Sequence, residues 1–204
     1  MIAIIDLGIG NISSVGNIIK KVGGDFFICR NHKELSRAEK IIFPGVGSFD
    51  HGVNGLLKGR WIDALNESVL IEKKKVLGIC LGMQLMCKHS EEGILDGLCW
   101  IDADVRRFDF KNVDGTLKVP HMGWNTVSLK KSSDLITLSE EEKRFYFVHS
   151  YHVVCHDKLD ILATSNYGYD FTSAFNKNNI YGVQFHPEKS HRFGMELIKN
   201  FIAL

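Results

Sequence analysis

Four short apolar runs dominate the amino-terminal half of the chain: Ile2–Leu7, Asp25–Arg30, Lys40–Phe43 and Val76–Ile79. Unbroken runs of this length fit strands buried on both faces, which is the condition of a parallel sheet covered by helices on each side. The intervening segments agree. Ser13–Val22 carries Val15, Ile18, Ile19 and Val22 at helical spacing and stops at Gly23-Gly24. Leu81–His89 reads as a second helix, whereas Ser48–Ser68 reads as irregular structure leading into one. Beyond residue 104 the pattern changes, because strands follow strands in 105–126, 144–154, 161–174 and 180–185. His191–Leu204 closes the chain as an amphipathic helix. The expected fold is α/β: a mostly parallel central sheet with helices on both faces and an antiparallel β extension. With 204 residues and no visible linker or repeat, one domain over 1–204 is expected.

Composition removes several function classes. Lys plus Arg (25) nearly balance Asp plus Glu (24), so nothing draws the chain toward nucleic acid or an anionic membrane. Five cysteines without a CxxC pair fit a reducing compartment better than a disulfide framework. Met1-Ile2-Ala3-Ile4-Ile5-Asp6 enters an apolar run without a basic leader and reads as a first strand. The richest apolar stretch, Val76–Cys87, is too short to span a bilayer. A cytoplasmic protein is expected.

The most informative residues are Gly78-Ile79-Cys80-Leu81-Gly82, set between an apolar strand and a helix. G-x-C-x-G is the thiol version of the nucleophile elbow, a sharp strand-to-helix turn that holds the nucleophile in a strained pose. Glycines flank it because neighbouring backbone passes close. The helix start favours a thiolate at Cys80, and the N–H of Leu81 points where an oxyanion would form. The competing reading is a buried structural cysteine, since free cysteine is among the most buried residue types.

A nucleophilic cysteine needs a base and a group to orient that base. Gly182-Val183-Gln184-Phe185-His186-Pro187-Glu188 ends another strand, at the edge where carboxyl ends of parallel strands converge. His186 is placed to take the thiol proton, and Glu188 to hold the other ring nitrogen. Pro187 restricts the backbone between them.

These two motifs, with Pro44-Gly45-Val46-Gly47-Ser48-Phe49, Val119-Pro120-His121-Met122-Gly123-Trp124-Asn125 and Phe147-Val148-His149-Ser150-Tyr151-His152, resemble class I, triad-type glutamine amidotransferases. Within that class the chain is most similar, end to end, to the glutaminase subunits of imidazole glycerol phosphate synthase. The resemblance implies hydrolysis of glutamine through a glutamyl thioester, with Cys80 as nucleophile, His186 as base and then acid, and Glu188 as orienter. It also implies an oxyanion hole completed by the N–H of Val46 beside that of Leu81. Gly47, Gln84, His149, Ser150 and Tyr151 match positions that hold the amino-acid end of the substrate. No cofactor or metal is implied. The implied partner is a (βα)8-barrel cyclase, HisF, forming a heterodimer and receiving the ammonia. It would release imidazole glycerol phosphate and AICAR, and Asn11, Met122 and Trp124 would lie toward it. Glutaminases of this kind that supply a surface-sugar amination system are the second reading.

Three other signals compete. Gly8-Ile9-Gly10-Asn11-Ile12-Ser13 imitates a dinucleotide loop, but Ser13 replaces the third glycine and strand two ends without an acidic residue. His149, His152 and His156 have metal-like spacing, but a continuous strand over Tyr146–Val154 would put His149 and His152 on opposite faces. Cysteine hydrolases of the DJ-1-like kind share the elbow. The His-x-Glu pair after the last strand argues against them. Met122 and Trp124 sit in a segment with no alternating pattern to bury them, as a core plug or an interface anchor.

Overall fold

In the computed structural model, which describes residues 1–111, 113, 117–137 and 141–204, each of the four apolar runs is a strand. β1 (Ile2–Ile5), β2 (Phe26–Cys29), β3 (Lys40–Gly45) and β4 (Lys75–Cys80) pair in parallel in the order β2-β1-β3-β4. Side chains alternate across a strand, and here both faces are apolar. Ala3, Ile5, Ile41, Phe43 and Val76 enter one buried cluster, while Ile2, Ile4, Ile42, Leu77 and Ile79 enter the other.

Among the described residues, five α-helices cover these faces: α1 (Ile12–Lys21), α2 (Phe49–Lys58), α3 (Trp61–Asn66), α4 (Leu81–Leu85) and α5 (His191–Ala203). α1 and α5 bury Val15, Ile18, Ile19, Leu197, Ile198 and Phe201 on one side. α2, α3 and α4 bury Phe49, Val53, Leu56, Trp61, Leu65, Met83 and Leu85 on the other. No helix among the described residues is long and apolar enough to cross a membrane.

Among the described residues, the remaining strands are β5 (His89–Ser90), β6 (Ala103–Arg107), β7 (His121–Thr126), β8 (Ser128–Leu129), β9 (Arg144–His149), β10 (Tyr151–Cys155), β11 (Ile161–Tyr167), β12 (Tyr169–Lys177) and β13 (Ile180–Val183). β13 completes the parallel core, lying beside β4 with Gly182 opposite Gly78 and Val183 opposite Ile79. Antiparallel pairing then runs outward through β12, β10 and β6, with β11 also on β12. β7 and β9 form a separate antiparallel pair. The expected α/β sheet with its antiparallel extension is the observed architecture.

Four local expectations are corrected. Residues 49–66 are mostly helical (α2 and α3), where irregular structure leading into one helix is expected. Glycines at 52, 55 and 59 depress helix propensity, yet Phe49, Val53 and Leu56 keep a buried helical stripe. Gly52 itself lets Leu85 approach, since a Cβ there would lie 2.8 Å from its side chain. α4 ends at Leu85, well before His89, because a returning segment captures the next carbonyls: Leu98 N–H donates to Leu85 O and Trp100 N–H to Met86 O. Residues 108–111 and 117–120 are not strand, and the rest of that connection lies largely outside the described residues. The strand expected over 146–154 is broken at Ser150 into β9 and β10, so the face argument for His149 and His152 does not apply. Both rings pack on Phe108, at centroid distances of 5.2 and 4.7 Å.

Candidate active site

Cys80 ends β4 and immediately precedes α4, with φ +54° and ψ −110°. A non-glycine residue in that region is strained by about 1–3 kcal/mol and persists only where its surroundings impose it. The surroundings do so. A Cβ on Gly82 would collide with the carbonyl oxygen of Phe43, and one on Gly78 would sit 2.7 Å from the backbone nitrogen of Met83. The two glycines of the elbow therefore let β3, β4 and α4 meet at backbone distance, which fixes the cysteine at the carboxyl edge of the sheet.

Because β13 lies parallel to β4 in register, the residues that follow it emerge beside the elbow. His186 Nδ1 lies 2.8 Å from Glu188 Oε1, with side-chain exposures of 3% and 4%. Its backbone is clamped as well: His186 N–H donates to Tyr146 O at 2.9 Å, and Ser190 Oγ–H donates to His186 O at 2.6 Å. Burial pulls the His186 pKa down, but the neighbouring Cys80 and Glu188 outweigh it and raise it to about 10. The second ring nitrogen, Nε2, is buried and makes no hydrogen bond among the described residues.

Cys80 and His186 open on one cavity of about 340 Å³. Val46, Gly47, Leu81, Gln84, His149, Ser150 and Tyr151 line it too, so all the residues expected at the glutamine site converge there. Glu188 stands behind His186, outside that lining. Gly47 has φ +109°, which a side chain would resist, at the turn where Val46 is exposed.

Asn11, Met122 and Trp124 lie elsewhere. Asn11 is exposed and its side-chain oxygen accepts from Ser14 N–H, capping α1. Met122 and Trp124 are on β7, a strand rather than a patternless segment, and they project outward with exposures of 61% and 42%. A core plug is thereby excluded. The Trp124 ring stacks on His191 at 5.4 Å, and Pro120 and Val148 carry the same neighbourhood into the cavity wall. Among the described residues, no group of three or more His, Cys, Asp or Glu is arranged to hold a metal ion.

Two polar residues escaped the sequence reading. Gln184, fully buried, donates to Cys80 Sγ at 3.6 Å and accepts from Gln84 Nε2 at 3.0 Å. His121, also buried, links to His149 by a ring nitrogen contact of 3.0 Å. Hydrogen-bond chemistry fixes the direction of that link. His149 Nδ1 faces the carbonyl of Tyr151 at 2.8 Å, so it carries the proton and its Nε2 accepts. His121 Nδ1 is then the donor, and its Nε2 accepts from Asn125 Nδ2 at 3.2 Å. Both nitrogens of His149 are thus committed within the protein, leaving its main chain and ring edge to face the cavity. The sequence signal for Gln184 was a polar side chain between two apolar residues, Val183 and Phe185; His121 gave none.

Burial lowers the His121 pKa to about 4 and that of His149 to about 3. Both sit below the unfolded value, so the unfolded chain binds more protons between about pH 6.5 and these folded values. Their stabilisation is complete above pH 6.5 and falls as the medium is acidified. Each ring is expected to remove up to about 1.4 kcal/mol per pH unit across that window. His121→Gln, which keeps a donor and an acceptor, is expected to flatten this acid limb. Urea midpoints of both proteins from pH 7 to pH 4.5 check it, and parallel curves would refute it.

The family model for glutamine amidotransferase class-I matches residues 3–204. The chain is 52% identical over 202 residues to imidazole glycerol phosphate synthase subunit HisH 2 of Methanococcus maripaludis, covering 99% of this chain and 98% of that protein. It is 48% identical over 204 residues to subunit HisH 2 of Pseudomonas aeruginosa, covering all of both chains. PurLQS from Thermotoga maritima shares the fold with a TM-score of 0.70 at 15% identity, over 98% of this chain and 94% of the other. A cysteine elbow beside a buried His–Glu pair, within a full-length match, leads to one assignment: the chain belongs to the class I glutamine amidotransferases.

Proposed function

We propose that this chain, a single domain over residues 1–204, is the glutaminase subunit of an imidazole glycerol phosphate synthase. The observation that carries the reading is the elbow cysteine sharing a cavity with a buried His186–Glu188 pair. Full-length similarity to relatives named HisH supports the particular synthase.

In the reaction His186 accepts the Cys80 proton, and the thiolate attacks the side-chain carbonyl of glutamine. The N–H groups of Leu81 and Val46 receive the resulting oxyanion. As the tetrahedral species collapses, the C–N bond breaks and the His186 imidazolium protonates the leaving nitrogen, releasing ammonia. A water then attacks the thioester with His186 as base, freeing glutamate and restoring the Cys80 thiol. Gly47, Gln84, His149, Ser150 and Tyr151 hold the amino-acid end of the substrate. The ammonia passes to a (βα)8-barrel cyclase bound as a heterodimer, in the cytoplasm.

The docking face on this reading is the outward side of β7, with Asn11 at the start of α1 contributing. Met122 and Trp124 are large, exposed and contiguous with the cavity wall at Pro120 and Val148, which suits delivery of a small product across an interface. Trp124→Ala is expected to weaken association with the barrel protein by about 30-fold or more, the loss of a buried aromatic anchor. The isolated subunit should stay folded, because Trp124 is not in the core. Copurification from the native cell identifies the barrel, and titration of the variant with it measures the loss. Unchanged affinity would remove β7 from the interface.

A further inference from the structure

Gln184 lies on the short stretch between β13 and His186, flanked by Val183 and Phe185, which bury on the opposite face in the cluster under α5. Its own side chain therefore points the other way, toward the base of the elbow. A fully buried amide is tolerated only with its hydrogen bonds made. Here the bonds reach both the nucleophile and the substrate pocket: Gln184 Nε2 is 3.6 Å from Cys80 Sγ, and Gln184 Oε1 is 3.0 Å from Gln84 Nε2.

The orientation of these amides follows from chemistry. Gln84 also contacts the carbonyl oxygen of Tyr151, at 3.1 Å. A carbonyl only accepts, so Gln84 must present its NH₂ group there. That same NH₂ has a second hydrogen, which goes to the Gln184 oxygen. The Gln184 amide is thereby turned with its own NH₂ toward the sulfur. The Tyr151 carbonyl is in turn held by His149 Nδ1–H at 2.8 Å, so the whole set has one consistent polarity.

We infer that Gln184 is a positioning residue for the nucleophile: its N–H, locked by Gln84, donates to the Cys80 sulfur and keeps it in the attacking orientation. A donor on the protein side of the sulfur favours the anion over the neutral thiol. It also opposes rotation of the side chain away from the glutamine cavity. This inference rests on Cys80 being the nucleophile.

The test uses the full chain and two variants, with iodoacetamide as the probe of the sulfur. Alkylation rates are followed against pH and assigned to Cys80 by peptide mass. Glutamine kcat and KM are measured with the barrel partner present. Gln184→Met keeps length and removes the donor. It is expected to move the alkylation midpoint of Cys80 up by about one pH unit or more, and to lower kcat about 10- to 100-fold, the range for one lost bond to a charged acceptor. KM should change less than about threefold, because Gln84 keeps its bond to Tyr151. Gln184→Glu retains the acceptor for Gln84 but presents a carboxylate to the sulfur, and is expected to lose more than the methionine variant.

A wild-type alkylation profile in Gln184→Met overturns the inference, whether kcat falls or not, and so does a change confined to KM. If that variant does not fold, Gln84→Met gives the reading, since it frees the amide that orients Gln184. A wild-type Cys80 profile there overturns the inference equally. Inactivation of the wild-type chain by labelling at a cysteine other than Cys80 would overturn the nucleophile assignment and Gln184 with it, which separates the two failures.

Discussion

Replacing Cys80 by alanine is expected to reduce glutamine-dependent ammonia release to background, while added ammonium salt still supports the synthase partner. Loss of the nucleophile in a triad costs up to about 10⁶ in turnover, because the base, orienter and oxyanion donors have nothing left to activate. The fold should survive. Cys80 is held at φ +54° by the close approach of β3, β4 and α4, and those contacts belong to Gly78, Gly82 and Phe43 rather than to the sulfur. Ammonia release by the variant, measured with and without glutamine at matched thermal stability, decides the matter. Retained glutamine hydrolysis would falsify the assignment of Cys80 and return it to the buried structural cysteines, beside Cys29, Cys87 and Cys155.

The parts of the fold legible from sequence are those where one local pattern suffices. β1 to β4 are apolar on both faces, and α1 and α5 keep their buried stripes at helical spacing. The segments that misled are those where tertiary contacts override local preference. α2 holds three glycines in or at its end and still forms, because Phe49, Val53 and Leu56 pack and Gly52 admits Leu85. Its first N–H is satisfied from afar, by the Glu92 carboxylate at 2.8 Å, which no local cap would reveal. β7 falls within 105–126, where strands are expected, yet its Met122-Gly123-Trp124 stretch carries no alternating pattern of its own. It becomes a strand by pairing with β9, where Trp124 stands opposite Tyr146.

At the site the division is similar. The glycine spacing around Cys80 and the His-Pro-Glu turn each encode a local geometry, and the structure brings both to one cavity. What joins them is the parallel register of β13 with β4, across about a hundred residues of chain, and that is a property of topology. The polar links beneath the cavity are longer-range still. Gln84 meets Gln184, and His121 meets His149, through partners that alternation within one strand cannot indicate.

The second large effect separates the two members of the pair behind the cysteine. On the proposed mechanism, His186→Ala removes both the group that takes the thiol proton and the group that protonates departing ammonia. Glu188→Ala removes only what orients that ring. The ring would keep part of its seat without Glu188, because its backbone is fixed by Tyr146 O and the Ser190 hydroxyl. Both variants are therefore expected to lose about 10²-fold or more in turnover, with the histidine variant losing more. A second signature distinguishes them. Glu188 is among the groups that raise the His186 pKa to about 10 against the pull of burial. Without it the imidazole gives up its proton at lower pH, so the alkaline limb of glutamine turnover in Glu188→Ala should move downward. Thioester accumulation by mass spectrometry, with pH profiles of both variants, tests the order and the direction. A fully active Glu188→Ala, or an unmoved alkaline limb, would reduce Glu188 to a residue of the turn that follows Pro187.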